Sequence, residues 1–309
     1  MNLVLVTGGA GFIGSHLVRA LLSRGDRVRV LDNFSTGKRE NLADVDGSLE
    51  IFDGDLRDPV LLQNVAQGVD FVFHLAAFVS VPQSMVEPQF CYDVNLTGTL
   101  NLLEAARAAG VKQVVIASSA AVYGESQELP ICEETVSQTL SPYAATKQVS
   151  EVFAGMYTHA LNLPIVALRF FIVYGPIQSP DTDYAAVIPI FIQRLRDEQA
   201  VIIYGDGNQE RDFVYVDEVV RAVLLAAEKP QAAGLVINVC SGETVSIIDL
   251  AETLSSILSD APAPQFAPPR AGDINLSQGD PSRAEQVLGF RAQISLADGL
   301  AETVERMPT

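Results

Sequence analysis

The stretch that most constrains the fold lies at the N-terminus, where the apolar run Leu3 to Val6 leads into Thr-Gly-Gly-Ala-Gly-Phe-Ile-Gly at positions 7–14. Consecutive apolar residues suit a strand that is buried on both faces of a parallel sheet. After the glycines, apolar residues recur at helical spacing, at positions 17, 18, 21 and 22. The pattern therefore predicts a strand, a tight turn and a helix in immediate succession.

Three glycines in this turn have distinct roles. Gly8 can take the positive φ that the turn needs, Gly11 lets the backbone approach a pyrophosphate, and Gly14 lets the helix pack closely on the strand. The N–H groups at the start of the helix then point toward phosphate oxygens. Three glycines alone occur in any tight βα turn, but their place between a strand and a helix predicts a dinucleotide site.

One acidic residue indicates which dinucleotide is bound. The second apolar run, at positions 28–31, ends at Asp32, where a carboxylate would hydrogen-bond the ribose diol of the adenosine half. The same negative charge would repel a 2′-phosphate. The sequence therefore predicts NAD as the cofactor and argues against NADP.

Length and charge limit the classes of protein that remain. A chain of 309 residues can form one large α/β unit or a cofactor domain with a smaller companion, and a net charge of -18 argues against nucleic acid or an anionic membrane surface as a partner. Three cysteines without the spacing of metal ligands predict no metal site and a reducing compartment. The first strand begins almost at residue 1 and no apolar run approaches about 18 residues, so we expect a cytoplasmic protein.

Further candidates stand where later strands end, which is where open α/β sheets bind ligands. Asp55 and Leu56 follow the third strand, in position to contact an adenine ring, and Ala76 and Ala77 follow the fourth, where small side chains leave room for a cofactor. His74 lies inside the fourth strand. We interpret it as a hydrogen-bonded core residue and not as a catalyst.

The densest chemistry lies in Ser-Pro-Tyr-Ala-Ala-Thr-Lys at positions 141–147, downstream of a hydroxyl pair, Ser118 and Ser119, that ends the fifth strand. Tyr143 and Lys147 share one helix face, about 5–6 Å apart. The ammonium group of such a lysine lowers the pKa of the phenol, so that the tyrosine can act as a base near neutral pH. Tyr-x-x-x-Lys also occurs by chance on exposed helices, and its place after a dinucleotide motif makes it a catalytic candidate.

Together these motifs resemble the extended short-chain dehydrogenase/reductase family, specifically its nucleotide-sugar 4-epimerases, over essentially the whole chain. The resemblance is carried by positions 7–14, Asp32-Asn33, Gly54-Asp55-Leu56, His74-Leu75-Ala76-Ala77, Asn95-Leu96-Thr97-Gly98-Thr99, 141–147, Gly205-Asp206-Gly207 and Arg211-Asp212-Phe213-Val214. It implies an α/β fold, a Rossmann-like doubly wound parallel sheet with a smaller α/β substrate-binding domain. Residues 1–170 plus about 212–235 would bind NAD, and residues 171–211 plus about 236–309 would bind a UDP-sugar.

The resemblance also implies a reaction and its residues. Tyr143 would take the proton of the sugar 4-hydroxyl, Lys147 would hold the nicotinamide ribose, and Ser119 would hydrogen-bond the 4-oxygen. Hydride would pass from C4 to NAD and back, through a transient 4-keto sugar and bound NADH. The implied cofactor-binding residues are Gly8, Gly11, Phe12, Ile13, Gly14, Asp32, Asn33, Ser35, Thr36, Gly37, Asp55, Leu56, Leu75, Ala76, Ala77, Asn95, Ser118, Tyr143, Lys147 and Phe170. The implied substrate-binding residues are Ser80, Ser84, Ser119, Tyr143, Val187, Tyr204, Arg211, Arg270, Asp273 and Ser277.

Two alanines separate this chain from relatives that run other reactions. Dehydratases of the family place Asp and Glu directly after the catalytic hydroxyl residue, and decarboxylases place a Glu at the second position, but here Ala120 and Ala121 stand there. Epimerisation needs neither acid. The alternatives are a UDP-glucuronate 4-epimerase or another NAD-dependent nucleotide-sugar enzyme, a reductase that releases its cofactor, and a non-catalytic NAD-binding protein. An intact Tyr143 and Lys147 argue against the last.

Two positions bear on the substrate. Ser277 stands where galactose-type epimerases have a bulky Tyr, and the smaller residue leaves room for an N-acetyl group or simply widens a promiscuous pocket. The implied substrates are UDP-GlcNAc and UDP-GalNAc, UDP-Glc and UDP-Gal, or both pairs. Ile172 replaces the usual Asn, which removes one expected substrate contact.

The resemblance also implies an assembly. The family commonly pairs protomers through the helices that hold Asn95 and Tyr143, so we expect a homodimer. Val149, Val152 and Phe153 would supply its apolar contacts.

Overall fold

The computed structural model describes residues 1–180, 186–258, 262–269 and 274–307. Within them the strands are β1 Leu3–Thr7, β2 Arg27–Asp32, β3 Leu49–Asp53, β4 Phe71–His74, β5 Gln113–Ser119, β6 Ile165–Phe170, β7 Ile172–Tyr174, β8 Ile202–Tyr204, β9 Glu210–Arg211, β10 Phe213–Tyr215, β11 Val236–Val239, β12 Val245–Ser246, β13 Gln265–Ala267 and β14 Leu276–Ser277. The helices are α1 Phe12–Ser23, α2 Pro59–Val65, α3 Val81–Val86, α4 Pro88–Tyr92, α5 Gly98–Ala109, α6 Pro142–Ala160, α7 Val187–Arg196, α8 Val216–Glu228, α9 Ile247–Leu258, α10 Ser282–Leu288 and α11 Leu296–Arg306. Short 3₁₀ helices span Arg39–Leu42, Ala120–Tyr123 and Pro230–Ala232, and a π-helical turn, Asp93–Thr97, joins α4 to α5.

Seven parallel strands form the central sheet in the order β11-β6-β5-β4-β1-β2-β3. The chain starts in the middle, winds outward through β2 and β3, and then returns to wind the other way from β4. This reversal between β1 and β4 opens a crevice at the carboxyl ends of the strands. The predicted fold class, a doubly wound Rossmann-like sheet, is confirmed.

Helices cover both faces of the sheet because side chains along a strand alternate in direction. Val4 and Val6 of β1 belong to the apolar core that contains α1 and α8, whereas Leu5 belongs to the core that contains α2, α5 and α6. All three side chains are buried. Burial on both faces leaves the loops at the strand ends as the place where ligands can enter.

Smaller sheets lie outside the central one: β7 pairs with β10, β9 lies between β12 and β14, and β8 pairs with β13. A third apolar cluster, which includes Phe191, Ile203 and Leu254, joins α7, β8 and α9.

The predicted start of the second domain at about residue 236 is wrong at its first strand, since β11 pairs in parallel with β6. A short apolar run does not reveal which sheet it joins. The rest of the domain division stays a prediction.

Two further features concern the described residues as a whole. None of their helices combines the length and apolar character that crossing a membrane requires. They also contain no cluster of three or more His, Cys, Asp or Glu side chains that could hold a metal ion. The three cysteines are free thiols, and Cys91 and Cys240 are buried.

Candidate functional site

A cleft of about 1040 Å³ lies at the carboxyl ends of the central strands. It begins at the glycine turn between β1 and α1. Gly8 has φ +72°, and a Cβ atom there would lie 2.7 Å from the Ala76 nitrogen. A Cβ atom on Gly14 would lie 2.1 Å from the Gly8 carbonyl oxygen. Both positions therefore require glycine, for the reasons that the sequence indicated.

The N-terminal end of α1 forms one wall of the cleft. Gly11 precedes the helix and supplies no side-chain cap for its first N–H groups, and Phe12 and Ile13 line the cleft. A Cβ atom on Gly11 would meet only the Gly8 carbonyl oxygen, at 3.2 Å, so the backbone is otherwise open to a ligand. Uncapped N–H groups at a helix start suit phosphate oxygens, and this wall fits a dinucleotide pyrophosphate.

Two carboxylates mark the far end of the cleft. Asp32, buried at the end of β2, accepts hydrogen bonds from the Ala10 and Phe34 N–H groups at 2.9 Å each, which fixes its orientation. Asp55 accepts from the Asn33 amide at 3.0 Å. Its hydrogen bonds with Arg57 lower the pKa of Asp55 despite partial burial. Two carboxylates at this end fit a ribose diol and disfavour a 2′-phosphate.

The other end of the cleft holds the predicted catalytic residues. Tyr143 and Lys147 lie one turn apart near the start of α6, and the Lys147 Nζ atom lies 5.7 Å from the centre of the Tyr143 ring. Lys147 Nζ donates to the Ala117 carbonyl oxygen at 2.7 Å. Ser119 ends β5, and its side chain lies beside that of Tyr143. The structure thus brings together all three residues.

Burial dominates the electrostatics at this end. Desolvation raises the pKa of Tyr143, and the neighbouring Ser119 hydroxyl opposes it only in part. Desolvation also lowers the pKa of Lys147 to about 8. For the protein groups by themselves the net direction is upward, because the loss of water dominates, and the lowering of the Tyr143 pKa by Lys147 stays a prediction.

Most predicted cofactor residues line this cleft. They are Gly8, Gly11, Phe12, Ile13, Gly14, Asp32, Asn33, Ser35, Thr36, Asp55, Leu56, Leu75, Ala76, Ala77, Ser118, Tyr143, Lys147 and Phe170, and Ser119 lines it with them. His74 lies behind the cleft, where its ring nitrogens contact the hydroxyls of Thr7 at 2.8 Å and Thr99 at 2.9 Å. Burial lowers the pKa of His74 to about 3. Its interpretation as a core residue is confirmed.

Three predicted residues support the cleft from outside its lining. Asn95 is buried and bonds the Phe78 backbone through both amide atoms, at 2.7 and 3.1 Å. Ser84 is buried and accepts from the Tyr143 N–H at 3.3 Å. Gly37 is buried, and a Cβ atom there would crowd Ala10 and Asp32. Asn95 and Ser84 therefore hold backbone groups beside the cleft, and Gly37 leaves space for its neighbours; the ligand-binding roles of these three residues stay predictions.

The remaining predicted substrate residues lie outside the cleft lining. Ser80 caps α3 and Val187 begins α7. Tyr204 ends β8, and Arg211 and Ser277 pair in parallel register between β9 and β14. Two more, Arg270 and Asp273, lie outside the described residues. The substrate roles of this group stay predictions.

Several cleft residues are not predicted from the sequence, because they come from distant segments. Ile177 follows β7 with φ +73°, which is rare for a β-branched residue, but sequence carries no signal for it. The others include Phe78, Val79, Phe90, Val94, Gln178, Gln193 and Met307. Only tertiary packing brings the C-terminal Met307 to the same cleft as the N-terminal glycines.

The sheet is doubly wound, and its cleft joins a glycine-rich dinucleotide turn to the Tyr143 and Lys147 pair. Together these features define a nicotinamide-dependent enzyme of the short-chain dehydrogenase/reductase class. A model of the NAD dependent epimerase/dehydratase family matches residues 4–240. The chain belongs to this family, so the predicted fold, enzyme class and cofactor, NAD, are confirmed.

Individual relatives cover almost the whole chain. The UDP-glucose 4-epimerase of Mycolicibacterium smegmatis is 41% identical over 305 residues, with 97% of each chain covered. The UDP-glucuronate 4-epimerase of Thermodesulfobacterium geofontis is 34% identical, with 98% of this chain and 95% of the relative covered. Among solved structures, the UDP-N-acetylglucosamine 4-epimerase of Methanobrevibacter ruminantium, in complex with UDP-N-acetylmuramic acid, has a TM-score of 0.94 and 40% identity, and covers 98% of this chain and 97% of its own.

Proposed function

We propose that this enzyme inverts C4 of a UDP-hexose. The observation that carries the proposal is the position of acids along the cleft. Among the described residues that line it, the acidic ones are Asp32, Glu40 and Asp55, which end β2 or follow β2 and β3. Beside Ser119, the first two positions of the 3₁₀ turn are alanines. Elimination of water or carbon dioxide would need an acid or base there, whereas epimerisation does not.

Three side chains of the cleft have separate roles in the inversion of C4. Tyr143 Oη takes the proton from the sugar 4-hydroxyl, and Ser119 Oγ hydrogen-bonds the same oxygen. Lys147, held by the Ala117 carbonyl oxygen, keeps a positive charge beside the phenol. NAD, when bound, supplies a hydride acceptor and donor at one face of the sugar. The same tyrosine returns the proton after the sugar has turned over in the pocket, so no net redox change follows.

The protonation state of Tyr143 determines how much positive charge the site must supply. Because burial raises the pKa of Tyr143, its neutral form is favoured by the protein groups alone. Lys147 is itself easier to deprotonate, since burial lowers its pKa to about 8. The phenolate therefore depends on further positive charge near the ring, which the oxidised nicotinamide carries. This dependence ties proton removal to a loaded cofactor site.

We propose UDP-hexoses with an N-acetyl group among the substrates. Ser277 pairs with Arg211 in the small sheet, so the residue proposed to widen the sugar pocket lies beside the residue proposed to bind the diphosphate. The similarity to the Methanobrevibacter enzyme supports this choice. UDP-glucuronate is the alternative that the Thermodesulfobacterium relative suggests.

A substrate panel tests the proposal. Purified protein is incubated separately with UDP-GlcNAc, UDP-Glc and UDP-glucuronate, and the C4 epimers are separated by chromatography. We expect conversion of UDP-GlcNAc or UDP-Glc without added cofactor, and a loss of about 10²-fold or more in Tyr143→Phe. Conversion of UDP-glucuronate alone would replace the substrate, and full activity of Tyr143→Phe would remove the proposed base.

We also propose a homodimer. An apolar face runs across α4, α5 and α6, where Phe90 is 43%, Leu100 40%, Val152 64% and Met156 41% exposed. Apolar side chains this exposed on neighbouring helices suit burial against a second copy. The predicted contacts of Val149 and Phe153, which are partly exposed on α6, fit the same face.

A further inference from the structure

A buried carboxylate lies one helical turn beyond the catalytic lysine. Glu151 follows Lys147 by four residues on α6, so the two share a face, and Glu151 is 8% exposed. Its Oε1 atom accepts from Ser118 Oγ at 2.5 Å and from Arg169 Nε at 2.8 Å. Its Oε2 atom accepts from Arg169 Nη2 at 2.7 Å. The proposed reaction gives this carboxylate no task.

The arginine is itself held in place. Arg169, on β6, lies with its guanidinium carbon 4.6 Å from the centre of the Tyr123 ring. Tyr123 Oη in turn donates to Asn238 at 2.6 Å. Burial is the largest single influence and lowers the pKa of Arg169, but the hydrogen bonds and charge of Glu151 together with the Tyr123 contact outweigh it and raise the pKa, so the guanidinium stays charged. A bidentate pair fixed from behind leaves the carboxylate one orientation.

Three consecutive residues at the end of β5 meet three different positions on α6. The Ala117 carbonyl oxygen accepts from Lys147, the Ser118 hydroxyl donates to Glu151, and the Ser119 side chain lies beside that of Tyr143. Ser118 lies between Ala117 and Ser119 in the strand. Its backbone therefore determines where its two neighbours present their oxygens.

We propose that Glu151, clamped by Arg169, is a positioning residue for the catalytic pair. By holding the Ser118 hydroxyl it aligns the end of β5 with α6, so that Ala117 orients Lys147 and Ser119 orients Tyr143. The kinetic consequences rest on the proposed function, whereas the effect on cofactor binding does not, because Ser118 and Lys147 both line the NAD cleft.

A double-mutant cycle tests this role. Valine and threonine have nearly the same shape, so Ser118→Val and Ser118→Thr differ mainly in the hydroxyl group. Glu151→Gln removes the negative charge of the group that accepts the hydrogen bond from this hydroxyl. We expect kcat in Ser118→Val to be about tenfold or more below that in Ser118→Thr, with KM for the sugar within about threefold. Glu151→Gln also disturbs the pair with Arg169, so its kcat should fall at least as far. Ser118→Val should add little further loss in the Glu151→Gln background, because the contact of the Ser118 hydroxyl with the carboxylate is already weakened there.

Calorimetric titration with NAD provides a second readout. The dissociation constant for NAD should rise in the same non-additive pattern. Glu104→Gln is the matched control, since Glu104 on α5 also accepts a hydrogen bond from α6, from Tyr157 Oη at 2.6 Å, but outside the cleft. It should leave kcat and NAD affinity unchanged while thermal unfolding reports any loss of stability.

Two results would overturn the positioning role. One is equal kcat and equal NAD affinity in Ser118→Val and Ser118→Thr, and the other is a double variant whose losses multiply. If the wild-type protein converts no UDP-sugar, the proposed function fails, but the NAD-binding cycle still decides the role of Glu151. If Ser118→Val does not fold, Ser118→Ala against wild type takes its place in both measurements.

Discussion

Replacing Lys147 by methionine should stabilise the folded protein while it removes the proposed activity. Burial lowers the pKa of Lys147 from the usual 10.5 to about 8. Because one unit of pKa corresponds to about 1.36 kcal/mol, the buried ammonium costs about 3 kcal/mol at pH 7. Methionine has a similar length and no charge, and it loses the hydrogen bond to the Ala117 carbonyl oxygen, worth about 1 kcal/mol. The expected net gain in the free energy of unfolding is about 2 kcal/mol.

The sign of the pH dependence follows from the same values. Below pH 8 the lysine is protonated in both the folded and the unfolded chain, so the full penalty applies. Between about pH 8 and 10.5 the unfolded chain keeps a proton that the folded chain has lost, so wild-type stability rises relative to the variant. The advantage of Lys147→Met therefore shrinks from about 2 kcal/mol at pH 7 to about zero near pH 9.5.

Urea denaturation at pH 7 and pH 9.5 measures this difference. The protein is first freed of cofactor, because NAD bound to the wild type would add stability by mass action. Lys112→Met is the control, since Lys112 forms an exposed ion pair with Asp70 at 2.8 Å and should change stability by less than about 1 kcal/mol at both pH values. If Lys147→Met is no more stable than the wild type at pH 7, or if its advantage is the same at pH 9.5, the buried ammonium does not carry the proposed cost.

Three further predictions address the fold, the core histidine and the assembly. Gly14→Ala places a Cβ atom 2.1 Å from the Gly8 carbonyl oxygen, so it should lower stability by about 1–3 kcal/mol and weaken NAD binding; an unchanged Tm would contradict this. Burial lowers the pKa of His74 from 6.5 to about 3, so wild-type stability falls as pH drops below 6.5. His74→Gln should remove about 2 kcal/mol of the loss between pH 7 and pH 5 in urea denaturation, and an identical loss in both proteins would count against it. Val152→Glu, at a residue 64% exposed, should convert a dimer to a monomer in sedimentation velocity, and a dimeric variant would place the interface elsewhere.

The parts of the site that lie within single short segments can be predicted from the sequence. Gly8 has a positive φ and Gly14 lies against the Gly8 carbonyl oxygen, and both of these demands act within a few residues along the chain. Asp32 ends a strand that the apolar pattern already predicts. Tyr143 and Lys147 share a helix face through spacing alone. Motifs of this kind are local, so sequence suffices to predict them.

Other parts of the site depend on contacts between remote segments. Gln193 and Met307 line the same cleft as Gly8, although no spacing relates them. The strand β11 joins the central sheet and not the smaller ones, because its partner β6 lies far away in the chain. Apolar periodicity predicts that a strand is buried, but it does not identify the strand beside it.

The sequence by itself determined the cofactor turn and the shared helix face of Tyr143 and Lys147, since each arises from steric limits or the periodicity of a short segment, and its family resemblance implied the doubly wound sheet. Only the tertiary structure decided the protonation of that pair. Burial raises the pKa of Tyr143 and lowers that of Lys147. Only the folded chain closes the ion pair of Glu151 and Arg169 behind Ser118. Desolvation and ion pairing depend on atoms from many distant segments packed around one point, and no local pattern specifies that sum.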